Sequence, residues 1–167
     1  GGHTAVDLAL AHPDRVAGLV LIAPAVRGAP YPDPTERESS LEQGAEQAQA
    51  DGDIDRANAL EAQLWLDGPT SAEGRGGGHP RQLFLDMNGR ALRSAAPGPT
   101  ADREAAWPRL AEIDIPTIVL VGDLDVSDLQ VIGRLLAAAL PDATFVELAG
   151  VAHLPQLEAP DVVARAI

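Results

Sequence analysis

Apolar residues recur at helical spacing from about Thr4 to Ala11, then close up into a continuous run at Gly18 to Ala23, with His12-Pro13 as the stop between them. The chain therefore opens as two glycines, a helix and a strand over about Ala17 to Ala23. The same uncharged density returns at PTIVLVG, after Ile115-Pro116, where β-branched residues bounded by Pro and Gly predict a strand buried on both faces. A helix follows over Asp128 to Leu140 and stops at Pro141, with Leu129, Ile132, Leu135 and Leu136 spaced to pack on a sheet. Thr144 to Leu148 predicts a third strand, and Pro155 to Ile167 a further helix. Strand, helix, strand is the repeating unit of a parallel sheet.

Between these two α/β pieces the pattern changes. From Arg27 to about Glu112 the chain is acidic, punctuated by Gly and Pro, and helical in periodicity. Asp53 to Leu66 is the firmest helix, with Ile54, Ala57, Leu60 and Leu64 on one side and Gly68-Pro69 as its stop. Pro80 to Ala96 predicts another, with Leu83, Met87 and Ala91 in line and Gly89 interrupting. Gly68 to Gly78 is expected to be a mobile loop. The fold class expected is α/β: residues 1–26 and 113–167 form a core of parallel strands with flanking helices, and residues 27–112 a helical cap or lid inserted over the binding crevice.

Composition narrows the chemistry. The formal net charge of −13 repels a nucleic-acid backbone and an acidic membrane surface alike. All twelve basic residues are Arg, so mechanisms needing a lysine amine are excluded, and the absence of Cys excludes thiolate nucleophiles, disulfides and Cys-ligated zinc. No apolar run reaches membrane-spanning length and the start has no basic-then-apolar signal pattern, so a cytoplasmic location is the expectation. At 3% aromatic residues, aliphatic side chains and Ala must fill the interior.

Topology selects the reactive residues. PTIVLVG runs directly into Asp123-Leu124-Asp125, which puts a carboxylate at the C-terminal edge of a parallel sheet, where open α/β sheets gather their catalytic groups. ATFVEL runs into Ala149-Gly150-Val151-Ala152-His153 and puts an imidazole on the next exit loop. One helix and one strand separate Asp125 from His153, so the two side chains should return to adjacent positions. There the carboxylate can fix the ring tautomer while the imidazole takes a proton.

Gly1-Gly2 opening a helix, G-x-x-D at Gly122 to Asp125, and G-x-x-H at Gly150 to His153 followed by Pro155-Gln156-Leu157-Glu158 and Pro160 together resemble the α/β-hydrolase superfamily. The resemblance covers most of the chain outside the insert. It implies a partial α/β-hydrolase fold that begins just after the nucleophile elbow, G-x-Nuc-x-G-G. Asp125 is then the orienting acid, Asp123 its less favoured neighbour, and His153 the general base. Trp65-Leu66-Asp67-Gly68-Pro69 resembles a cap segment of the small ester- and lactone-hydrolysing members, which makes Trp65 a substrate-binding residue. The substrate implied is a small molecule with an ester, lactone or related acyl bond, and no cofactor or metal is called for.

The same resemblance places the nucleophile two positions before Gly1, outside the sequence. Ser39, Ser40, Ser71, Ser94 and Ser127 all lack the G-x-S-x-G surroundings of an elbow. Ser and Asp both precede such glycines in this superfamily, so a dehalogenase- or epoxide-hydrolase-type Asp remains open beside Ser. A catalytically inactive fragment or relative kept as a binding module is the non-enzymatic alternative. The chain alone is expected to be inactive and marginal in stability, its first strand wanting a neighbour.

The remaining candidates have simpler readings. His3 and Asp7 lie one helical turn apart without a third metal ligand nearby. His12 reads as a helix C-terminal residue and His79 as surface. Asp51, Asp53 and Asp55 imitate a calcium loop, but Arg56 and Ala62 replace its Gly and Glu, so they read as a helix start. Gly76-Gly77-Gly78 reads as a flexible linker. Asp125 or Ser127 is also available to cap the helix that follows.

Overall fold

The computed structural model describes residues 1–94, 98 and 104–167. Three strands, β1 (Leu19–Ile22), β2 (Thr117–Gly122) and β3 (Ala143–Leu148), form one sheet in the order β1-β2-β3. Both pairings are parallel, with Leu19 opposite Thr117 and Thr117 opposite Ala143. The central strand has the densest apolar sequence, and Val119, Leu120 and Val121 are buried. On β1 the burial alternates, and Val20 on the outer edge is 42% exposed.

Helix α1 (Gly2–Ala11) precedes β1 and packs Val6 and Ala9 into the core. A Cβ on Gly2 would lie 2.9 Å from Pro24 Cβ and 3.1 Å from Ala25 O, so glycine here is what lets α1 approach the end of β1. Helix α5 (Ser127–Ala139) joins β2 to β3 and buries Leu129, Ile132 and Leu136 on the sheet. Leu135, expected on that face, is 42% exposed, because the stripe is narrower than four residues. The final helix is two: α6 (Pro155–Glu158) and α7 (Pro160–Ala166). Pro160 cannot donate to a continuing ladder, so the helix breaks at Ala159.

Between β1 and β2 stand α2 (Glu36–Ala50), α3 (Ile54–Ala62) and α4 (Gly78–Leu92). Asp53 caps α3 by accepting from Arg56 N at 3.1 Å, in agreement with the helix-start reading. The α-helix expected to reach Leu66 ends at Ala62 and passes into a π-helical turn, Gln63–Asp67. Helix α4 runs through Gly89, which is buried at the α3 crossing, where a Cβ would come within 3.0 Å of Asn58 Nδ2. Its Leu83, Met87 and Ala91 face outward, Met87 at 63% exposure, and the inner face carries Asn88, which donates to Asn58 Oδ1. The helix ends at Leu92 with Arg93 as its C-cap, short of the expected Ala96; residues 95 and 96 lie outside the described residues.

The Gly68 to Gly78 segment, expected to be a mobile loop, is hydrogen-bonded along its length. It wraps the fully buried Asp67 carboxylate, which accepts from Gly74 N at 2.8 Å, Gly76 N at 2.7 Å and Arg81 Nη1 at 2.9 Å. A buried carboxylate needs such partners, and the loop supplies them. Among the described residues no helix is long and apolar enough to cross a membrane.

Candidate active site

β2 and β3 end level, Gly122 opposite Leu148, so the loops after them leave the sheet side by side. A Cβ on Gly122 would overlap the carbonyl oxygens of Val151 and Ala152, so only glycine lets the second loop fold across the end of β2. This closeness brings His153 onto Asp125. Nδ1 lies 3.1 Å from Oδ1 and 3.2 Å from Oδ2 of the carboxylate, whose side chain is fully buried. Oδ1 also accepts from Val126 N at 2.8 Å. A carboxylate on Nδ1 requires the proton there in the neutral ring and leaves Nε2 as the basic nitrogen.

Asp123 is directed elsewhere: its Oδ1 accepts from Gly150 N at 2.7 Å and holds the base of the histidine loop. Neither Asp125 nor Ser127 caps α5 in the usual way, since the N-cap residue is Val126. That task falls to Glu38, from α2. Glu38 Oε1 accepts from Ser127 N at 2.6 Å, and Oε2 accepts from Ser127 Oγ at 2.8 Å and Thr35 N at 2.6 Å. One buried carboxylate thus serves the N-termini of α2 and α5 together. Burial opposes its charge, but the hydrogen bonds from Ser127 and Thr35 outweigh it and hold Glu38 below the usual glutamate range.

A cavity of about 400 Å³ opens beside His153, lined also by Trp65, Gly1, Gly2, His3 and Asp128 among others. The Trp65 ring lies 4.8 Å from the His153 ring, centroid to centroid and tilted by 55°, and its carbonyl accepts from His153 N at 3.2 Å. Glu38, Glu42 and Asp128 give the cavity an acidic wall. Burial, then the nearby charges of Glu38 and Asp125, push Asp128 above the usual aspartate range, against the hydrogen bond from Leu129 N. Glu42 is raised by burial and then by Asp128. Ala23, on the cavity floor, takes φ +44°, a left-handed conformation costly for a residue with a Cβ and of the kind that clusters at functional sites.

The other histidines stay apart from this pair. His3 lines the cavity and is pushed below the usual histidine range first by burial and then by the charge of Arg27, while Asp7 pairs with Arg27. His12 caps the C-terminus of α1, and His79 is exposed. Glu38 escaped the sequence reading although Thr35-x-x-Glu38 has the spacing of a capping box, which it forms. Arg75 and Asp67 left no such signal.

The alpha/beta hydrolase family matches residues 1–166. No curated protein matches the chain. Among solved structures it is similar to a thermophilic esterase from Thermogutta terrifontis, at 26% identity and a TM-score of 0.63, covering 99% of this chain and 59% of that one. An N-acyl homoserine lactone degrading enzyme shares 22% identity at a TM-score of 0.63, over 98% of this chain and 61% of that one. Naproxen esterase from Bacillus subtilis shares 18% identity at a TM-score of 0.68, over 99% and 54%. The chain spans somewhat over half the length of these relatives.

Proposed function

This chain belongs to the alpha/beta hydrolase family, and on that premise we propose that it carries the base and orienting acid of an enzyme that hydrolyses a small ester, lactone or related acyl bond. The observation that carries the reading is His153 Nδ1 seated on both oxygens of the buried Asp125, at the shared exit of two parallel strands. Nε2 takes the proton of an attacking hydroxyl. Asp125 holds the Nδ1–H tautomer and stabilises the imidazolium, which then returns the proton to the leaving group. Water, activated by the same nitrogen, releases the acyl group. The acid and base need no metal for these steps.

The attacking group in this reading is the residue two positions before Gly1, Ser by preference. One feature supports it: Gly1 and Gly2, at the start of α1, line the same cavity as His153. Trp65, against the His153 ring, shapes the acyl pocket, and the helices between β1 and β2 form its cap.

In the full-length protein, Asp125→Asn should lower kcat for p-nitrophenyl acetate roughly 10⁴-fold, the cost of a wrong tautomer in such a triad. His153→Ala should lose at least as much. Retention of a tenth of the activity by either variant would overturn the proposal. The 167 residues alone should show no turnover that depends on His153, and labelling of full-length protein by a fluorophosphonate separates Ser from Asp as nucleophile.

A further inference from the structure

The loop that carries His153 is anchored group by group, and two of the anchors come from the helical segment between β1 and β2. Ala152 N and Leu154 N, on either side of the histidine, both donate to the Glu158 carboxylate, at 3.1 and 3.2 Å. His153 N donates to Trp65 O. Gly150 is gripped at both ends, its N–H by Asp123 and its carbonyl by Arg75 Nη1 at 3.0 Å. Arg75 then closes the circuit. Its Nη2 reaches Glu158 Oε2 and Leu66 O, and its Nε reaches Asp67 O.

The guanidinium therefore spends its donors on two carbonyls of the π-helical turn, one carbonyl of the histidine loop and the carboxylate that holds that loop. Glu158 is 6% exposed and Arg75 26%, so the pair is shielded enough for the charge-assisted bonds to hold their geometry. An ammonium group cannot make all four contacts, because they need the planar fork of a guanidinium.

We propose that Arg75, acting through Glu158 and Gly150, is a positioning residue for His153, so that the base keeps its working orientation only while the helical segment is latched to it. Arg75 touches no reacting atom. It rests on the reading of His153 as the base, and adds that the segment above the site is part of what aims it. A displacement of about 1 Å in a catalytic group costs on the order of 10²-fold in rate.

The test uses the full-length protein. Arg75→Ala should lower kcat for p-nitrophenyl acetate about 10- to 100-fold with KM within threefold, Arg75→Lys should fall between it and wild type, and methylguanidine should restore part of the Arg75→Ala loss. Independently of turnover, the imidazole proton between His153 and Asp125, assigned by its disappearance in His153→Ala, should be sharp in wild type and broadened by exchange in Arg75→Ala. A folded Arg75→Ala with unchanged kcat and an unchanged proton resonance overturns the latch. If Arg75→Ala does not fold, the same two readings on Arg75→Lys decide. Full activity in His153→Ala would sink the hydrolase reading instead, and the resonance would still report on the latch.

Discussion

Beneath α5, Ile132 and Leu136 are sealed from water among aliphatic neighbours, whereas the helices between β1 and β2 bury Glu38, Asn58, Gln63 and Asp67, four of the six buried polar or charged side chains among the described residues. On the sheet side, burial of apolar area supplies the stability, and the partner of any one side chain is replaceable. In the helical segment the apolar stripe of α4 faces outward, and beside the buried Leu41, Leu64 and Leu66 the packing depends on hydrogen bonds to buried polar side chains. Such bonds contribute modestly when satisfied and cost heavily when one partner is removed. The two regions should therefore fail differently.

The sharpest contrast is Asp67→Ala, which removes the buried carboxylate that ties Arg81 to the N–H groups of Gly74 and Gly76. It should destabilise by about 3–5 kcal/mol, the loss of several charge-assisted hydrogen bonds to one carboxylate. Urea unfolding with a change under 1 kcal/mol would remove the polar-specification idea. Leu136→Ala, on the other side of the comparison, should cost about 2–5 kcal/mol by leaving a cavity, and the cost should be the same at pH 5 and pH 8.

Glu38→Ala should cost about 2 kcal/mol at neutral pH, roughly 1 for each helix N-terminus it serves. Because the folded protein holds Glu38 below the usual range, its contribution is present above the unfolded pKa and is lost as pH falls through the folded one. The difference between wild type and variant should therefore shrink on acidification, which the Leu136→Ala difference should not do. Asp128→Asn should give the smallest change and the opposite sign. Its folded pKa is raised, so its favourable contribution exists below the unfolded pKa and is lost as pH rises through the folded one. The variant should gain stability near pH 7 and little near pH 4; equal gains at both would remove burial and the charges of Glu38 and Asp125 as the cause.

The same contrast accounts for what could be read from the residues. The buried run PTIVLVG, the helical spacing of Leu129, Ile132 and Leu136, and the stop at Pro141 predicted β2, α5 and the start of β3 almost to the residue. The meeting of Asp125 with His153 was legible because each stands in the loop just after a strand, and parallel pairing brings those loops together. The helical segment was less legible because its order comes from long-range polar contacts. Nothing adjacent to Gly68–Gly78 announces that Asp67 will collect its amides, and no local pattern links Arg75 to Glu158, 83 positions on. Leu83, Met87 and Ala91 misled because an apolar stripe is informative only if a partner covers it.

The π-helical turn Gln63–Asp67 carries a constraint on the length of the polypeptide. It presents the oxygens of Trp65, Leu66 and Asp67 to His153 and Arg75 because one residue more than an ordinary turn is packed into it. Deleting any single residue there would let α3 run on as a regular helix and rotate everything beyond it by about 100°. The indole would swing off the imidazole, and the three oxygens would return to the ladder. Chimaeras that exchange this region between homologous hydrolases must therefore preserve residue count through Asp67, and a substitution inside the turn should be better tolerated than a one-residue deletion.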